Sequence, residues 1–297
     1  MTMFIKEEID FYENTKLALE CVLYDYALEA ENDINMKDNP GEDKGASSSF
    51  LLKMRNTIEK LIKNLRGIIE RCTYTITAAI RKVLLSDKTF DKKLREAMRK
   101  NKPLEVIKVI SYQYNDSFLD GELQKVTSAC TNLLSEVKAS PADLKNPDKT
   151  TIDSTKDIEK DLMQRLRIPS GENTSSLNSY FLYLKKGFHS EKKEIQISSS
   201  DTQKYQNISA NYRNIENLIN SKTSTMNQQL ERAKGIIQRT IDNREVSAEL
   251  KRRAVKQLQN LGQVFNFYTM FLKMYSQLKI EETMAARTIL KKIYQFS

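Results

Sequence analysis

From Asp201 to Phe296 the chain has no proline and only two glycines, Gly235 and Gly262. Apolar side chains recur through this stretch at helical spacing. Tyr205, Ile208, Tyr212, Ile215 and Ile219 step by three and four, and Met226, Leu230, Ala233, Ile237 and Ile241 resume the row. Leu250, Ala254, Leu258, Leu261, Phe265, Tyr268, Leu272 and Tyr275 form a second row. One apolar stripe per segment, with nothing to break the backbone, specifies a pair of long amphipathic helices. A helix over 201–242 would be about 60 Å long at ~1.5 Å per residue, a rod rather than the core helix of an enzyme. Asp242–Glu245 reads as the turn, Ser247 as the cap of the second helix, and Ser200 with Gln203 as the capping box of the first.

The rest of the chain gives the same signal more weakly. Eight glycines, five prolines and no tryptophan in 297 residues leave few turn formers, and 39% apolar with 29% charged residues fits modest cores under polar surfaces. The expected fold class is all-α: an elongated helical bundle with two long C-terminal helices and at most one short strand pair.

Residues 1–36 read as an acidic, aromatic helix and 37–49 as a Gly/Ser-rich linker. Residues 50–138 read as a basic helical domain. There Leu51, Met54, Ile58, Leu61, Leu65, Ile68 and Cys72 alternate steps of three and four, which is a heptad row. These seam residues, with Ile237, Leu258, Leu261 and Phe265 of the C-terminal pair, are the expected packing core. Helix is expected to continue through the β-branched Thr73–Thr77 to Leu85, break at Ser86–Lys88, resume over Thr89–Lys100, and restart at Pro103 through about Tyr112. Ser117–Val137 is a further helix. A second linker covers 139–152, and 153–199 holds short helices with one strand candidate, Glu194–Ser198. The long helical hairpin fills 200–297.

Charge is unevenly placed. Residues 1–49 carry 4 basic and 12 acidic groups, net −8, whereas 50–110 carry 16 and 6, net +10. Such basic segments can pair with acidic ones, or attract nucleic acid or an anionic membrane surface. Two compact patches could contact phosphate: Lys92, Lys93, Arg95, Arg99 and Lys100 in one, Lys251, Arg252, Arg253 and Lys256 in the other. Neither has the spacing of a base-reading helix, so their contacts would be salt-sensitive and sequence-blind.

Signals for chemistry are sparse. There is no Gly-rich phosphate loop, no paired Cys/His set and no nucleophile elbow, so no catalytic residue, metal ligand or cofactor is expected. His189, the only histidine, sits in a polar context that reads as a loop. The carboxylate pairs Glu281/Glu282 and Asp87/Asp91 read as surface charge balance. Tyr268, Phe271 and Tyr275, with Phe265 and Phe267, have core spacing rather than that of a base-stacking platform. The three cysteines, Cys21, Cys72 and Cys130, are far apart and lie on or beside apolar stripes, as reduced core residues do. No signal peptide is expected from the N-terminus, and no window approaches the ~20 apolar residues that span a bilayer. The stripe Ile58–Ile80 could instead lie flat on an anionic membrane.

An acidic aromatic opening followed by a Gly/Ser linker, the amphipathic run Leu51–Ile69, and Phe188–Ile197 leading into long terminal helices together give an architecture that resembles the helix-rich structural or internal virion proteins of tailed bacteriophages. That resemblance implies a non-enzymatic structural or assembly protein: an internal head, scaffold, core or shell-lining component, located in a virion or the host cytoplasm. It would associate with itself or with other structural proteins. The residues also leave open a basic, nucleic-acid-associated packing protein and a membrane-surface-active bundle.

Overall fold

The computed structural model describes residues 45–135, 158–166, 177–189, 192–243, 246 and 248–296. The helix expected over 1–36 and the linker over 139–152 lie outside these residues. Among the described residues the protein is all-α, with seven α-helices and a single two-stranded antiparallel sheet. The order is α1 (Gly45–Lys100), β1 (Val106–Ser111), α2 (Asp116–Ser135), α3 (Ile158–Leu166), α4 (Leu177–Phe188), β2 (Lys193–Ser198), α5 (Thr202–Ala210), α6 (Tyr212–Asp242) and α7 (Ala248–Ile293).

Helix α1 runs for 56 residues and includes 45–49, expected as linker, and Ser86–Lys88, expected as a break. Those three polar residues include neither proline nor glycine, so no steric cause ends the helix there. Its end is set at 101–103 instead. Asn101 N–H closes on Ala97 O at 2.7 Å, and Pro103 biases Lys102 out of the helical region. The helix expected from Pro103 to Tyr112 is strand β1. Val106–Ser111 alternates buried Ile107 and Val109 with exposed Val106, Lys108 and Ile110, and pairs in register with Lys193–Ser198, Ile107 opposite Ile197 and Val109 opposite Ile195. A short β-branched run fits strand as well as helix, and the cross-strand partner decides between them.

The rod expected over 201–242 is two helices. Ser199–Asp201 is a 3₁₀ turn, α5 ends at Ala210, and α6 begins at Tyr212. At the junction Asn211 N–H donates to Ile208 O at 3.1 Å and the Asn211 side-chain oxygen accepts from Asn214 Nδ2 at 2.9 Å, a local bond that competes with helix continuation. The capping box is also two residues earlier than the expected Ser200/Gln203. The Asp201 carboxylate accepts from both the N–H and the hydroxyl of Ser198, each at 3.0 Å.

In space the described residues group into two compact units, neither a single stretch of sequence. One draws on the described residues within Met1–Glu70, Lys125–Ser179 and Ser224–Met270, the other on those within Arg71–Gln124, Tyr180–Thr223 and Phe271–Ser297. The segments 50–138 and 200–297 each supply residues to both.

In the first unit, α1 and α6 run antiparallel. Arg55 reaches Asp242 at 2.7 Å, Lys234 reaches Glu59 at 2.8 Å, and Arg66 pairs with Glu231, so partner numbers fall as α1 advances. These exposed pairs set register and contribute little stability, ~0–1 kcal/mol each. Packing carries the unit. Met54, Ile58, Leu61, Leu65, Ile68, Ile237, Leu258, Leu261 and Phe265 are all buried, while Leu51 is only half-buried in the first turns of α1. Phe267 and Tyr268 are also buried, the Tyr268 hydroxyl bonding Thr127 at 3.0 Å. Residues 257–262 of α7 are buried on every side of the helix, including Gln257, Gln259 and Asn260. Such a helix has no solvent face and acts as the central post of its unit.

The second unit has its own core. Phe90, Leu94 and Ala97 of α1 pack with Ile107 and Val109 of β1, Ile197 of β2, and Ile289, Leu290 and Ile293 of α7. Leu104 N–H donates to Ile293 O, tying the start of the sheet segment to the end of α7. The stripe residues Ile58, Leu61, Leu65, Ile68, Cys72, Ile76 and Ile80 are all buried, so the face that would lie on a membrane is already packed. No helix among the described residues is long and apolar enough to cross a membrane.

Candidate functional site

The second unit contains a cleft of about 790 Å³. Its walls are the segment after β1 (Tyr112–Asn115), the start of α2 (Asp116, Ser117), the end of α4 (Lys186–Phe188), part of β2, the face of α5 with Lys204 and Tyr205, and Glu282 to Ile289 of α7. Tyr114 and His189 form an isolated antiparallel bridge that fixes the two loops beside each other. His189 is therefore not a polar-loop residue. It is buried, and its ring stacks on Tyr112 at 4.3 Å, with the Lys192 ammonium 5.1 Å above that tyrosine. Gly187 allows a close approach in the wall, because a Cβ there would come within 2.2 Å of Phe118 Cζ. The same ring meets Tyr183 of α4 edge-on at 5.4 Å.

In the wall of the cleft a cluster of carboxylates surrounds the buried Lys279. Lys279 and Glu282 have side chains only 4% exposed. The Lys279 ammonium bonds Asp116, lies 3.6 Å from Glu282 and 3.8 Å from Asp120, and stands 5.8 Å from the Phe188 ring. Tyr275 donates its hydroxyl to Asp120 at 2.8 Å. Glu282 is thus not surface charge balance. Burial, then the adjacent Asp116 carboxylate, raises it from 4.5 to about 8, against the opposing pull of Lys279. In its protonated form it can donate to Asp116. Burial also raises Glu281, tempered by Lys185 and Lys192, and raises the Tyr114 and Tyr275 hydroxyls.

The cleft thus mixes Asp116, Asp201 and Glu282 with Lys186 and Lys204, and lines them with Tyr112, Tyr114 and Tyr205. Mixed charge and aromatic walls suit binding of a polar surface group rather than selection of one ion. Among the described residues no group of three or more His, Cys, Asp or Glu side chains is disposed to hold a metal.

The residues expected to contact phosphate fall in different units. Lys92, Lys93, Arg95, Arg99 and Lys100 are all exposed on the last turns of α1 in the second unit. In the first unit Lys251 is buried, and burial lowers its pKa with Asp242 partly offsetting. Arg253 and Lys256 are half-buried, and the Arg252 side chain lies outside the described residues. Missed altogether were Asp116, Lys279 and Arg287. The available signal was a polar row, Ser276, Lys279, Thr283 and Arg287, at steps of three and four inside an otherwise apolar helix.

No protein-family model, curated protein or solved structure matches the chain.

Proposed function

We propose that this chain is a non-enzymatic helical structural protein that assembles with copies of itself or with other structural proteins, as an internal head, scaffold, core or shell-lining component of a phage particle. The observation that carries the assembly reading is the outer face of the sheet. Ile110 is 76% exposed and Val106 49%, on one face of β1 to either side of the exposed Lys108, with Leu104 also exposed just before it. Among the described residues each strand has one strand neighbour, so each leaves a ladder edge with no described strand beside it. Exposed apolar side chains on an open sheet are what natural proteins avoid unless a partner covers them. The particle setting rests on the sequence resemblance alone.

Sedimentation velocity across a concentration series tests this reading. The account expects species heavier than the 34.4 kDa monomer, and expects Ile110→Lys to return them to monomer without changing the melting temperature. A wild-type monomer at every concentration removes self-assembly. Equal association by the variant removes the sheet as its surface.

A second reading, a basic nucleic-acid-associated packing protein, is favoured by the distribution of charge. The stretches forming the second unit hold 23 Lys and Arg against 13 Asp and Glu, net +10, whereas the rest of the chain holds 25 against 26, net −1. The whole positive excess therefore belongs to one unit, the one with the exposed Lys92–Lys100 patch. Such a unit would bind phosphate backbones without regard to sequence and release them in salt.

A further inference from the structure

The end of α1 and the strand that follows it form one exposed surface in the second unit. From Met98 to Val106 every residue is exposed except the half-buried Asn101, and Lys108 and Ile110 continue the outer face of β1. The run Lys92–Lys108 carries seven basic residues against two acidic ones, Glu96 and Glu105. Lys92, Arg99, Lys100 and Lys102 are exposed, and none has an ion-pair partner among the described residues. Beside these charges stand the exposed Leu104, Val106 and Ile110. The backbone between charge and sheet is held in place. Leu104 N–H donates to Ile293 O at 3.0 Å, Ser199 N–H to Glu105 O at 2.9 Å, and Asn101 Nδ2 to Tyr294 O at 2.8 Å. A surface fixed in this way loses little freedom when it is covered.

Charge decides what can cover it. A second copy related by a two-fold axis would set this basic run against itself, and like charges in contact repel. The occupant must therefore be acidic. Residues 1–49 are net −8, whereas the remaining 248 residues hold 44 basic and 27 acidic groups, net +17. That opening stretch also matches the apolar part of the surface, since Phe4, Phe11 and Tyr12 lie among Glu7, Asp10 and Glu13. Between Lys92 and Ile110 there is no aromatic side chain on which a base could stack, which favours a protein segment over a nucleic-acid strand. We propose that residues 1–36 of one copy dock on the Lys92–Ile110 surface of the next, acid to base and aromatic to aliphatic. Each copy offers both halves of the contact, so it is heterologous and either closes a ring or propagates a filament. The proposal rests on the assembly reading and names what covers the sheet in it.

Sedimentation velocity of the full chain tests it with two triple reversals. One is Glu7→Lys with Asp10→Lys and Glu13→Lys, the other Lys92→Glu with Arg99→Glu and Lys102→Glu. Each is expected to weaken association about tenfold or more, with the thermal transition by circular dichroism as in wild type. An equimolar mixture of the two is expected to associate again, as is a chain carrying all six changes, whose net charge equals that of wild type. Wild-type association should also weaken with salt, a readout that needs no variant. Triple variants that associate like wild type overturn this contact and leave assembly itself intact. A wild type that stays monomeric throughout removes the assembly reading and this contact with it. Recovery in the six-change chain but not in the mixture would place the segment on its own chain, and loss of wild-type association after nuclease treatment would make nucleic acid the occupant; either overturns the proposal.

Discussion

Glu282 is the residue whose chemistry departs furthest from its place in the sequence. A glutamate raised from 4.5 to about 8 binds a proton in the folded state that the unfolded chain has already released. The folded state therefore holds more protons between those two values, and stability falls as pH rises through that window. Its contribution is fully present below 4.5 and exhausted above about 8. Glu282→Gln mimics the neutral acid. Its melting temperature relative to wild type should accordingly climb from pH 5 to pH 8, and a constant difference across that range would show that Glu282 is ionised throughout. Gly187 makes a steric prediction in the same wall. Gly187→Ala should displace the Phe118 ring from its place against Tyr183 and cost about 1–3 kcal/mol in denaturant unfolding, as overpacking does. Little at this scale was legible beforehand. Glu282 reads as surface charge balance because burial of a charge depends on neighbours from α2 and α4, which no local pattern reports.

The elements separate what periodicity decides from what it cannot. Met54, Ile58, Leu61, Leu65 and Ile68 follow a heptad row in the sequence and are buried in α1, because the sequence period and the helix period are the same physical repeat. Leu61 has no exposed surface. Leu61→Asp should therefore abolish a cooperative thermal transition followed by circular dichroism, since an unpaired carboxylate would enter an apolar seam. An unchanged melting curve would remove the seam from the account. β1 was misread as helix because its partner, β2, is more than eighty residues away. β2 was readable on its own, since Glu194–Ser198 alternates while its flanks are polar. The expected break at Ser86–Lys88 is absent for the opposite reason: polar residues alone do not end a helix that contains neither proline nor glycine there. At Asn211 a genuine break was hidden, because a single side-chain hydrogen bond leaves no mark on the apolar rhythm.

At the level of the whole molecule, the all-α class follows from the scarcity of breakers and the length of the stripes. The grouping into two units does not, because each unit is assembled from three separated stretches that cut across the long helices. The charge asymmetry was visible along the chain, but its meaning changes once it is assigned to units. The basic excess is concentrated in the unit that also carries the exposed sheet and the cleft. An assembly protein of this kind would use apolar sheet contacts for cohesion and the basic unit for acidic or phosphate-bearing neighbours. Density-gradient fractionation of the native source, with each fraction probed for this chain, tests that account most directly. The account predicts co-migration with assembled particles, and comparison of empty with nucleic-acid-filled particles would then separate shell contact from nucleic-acid contact. A chain that remains at the top of the gradient, apart from every particle, would contradict it.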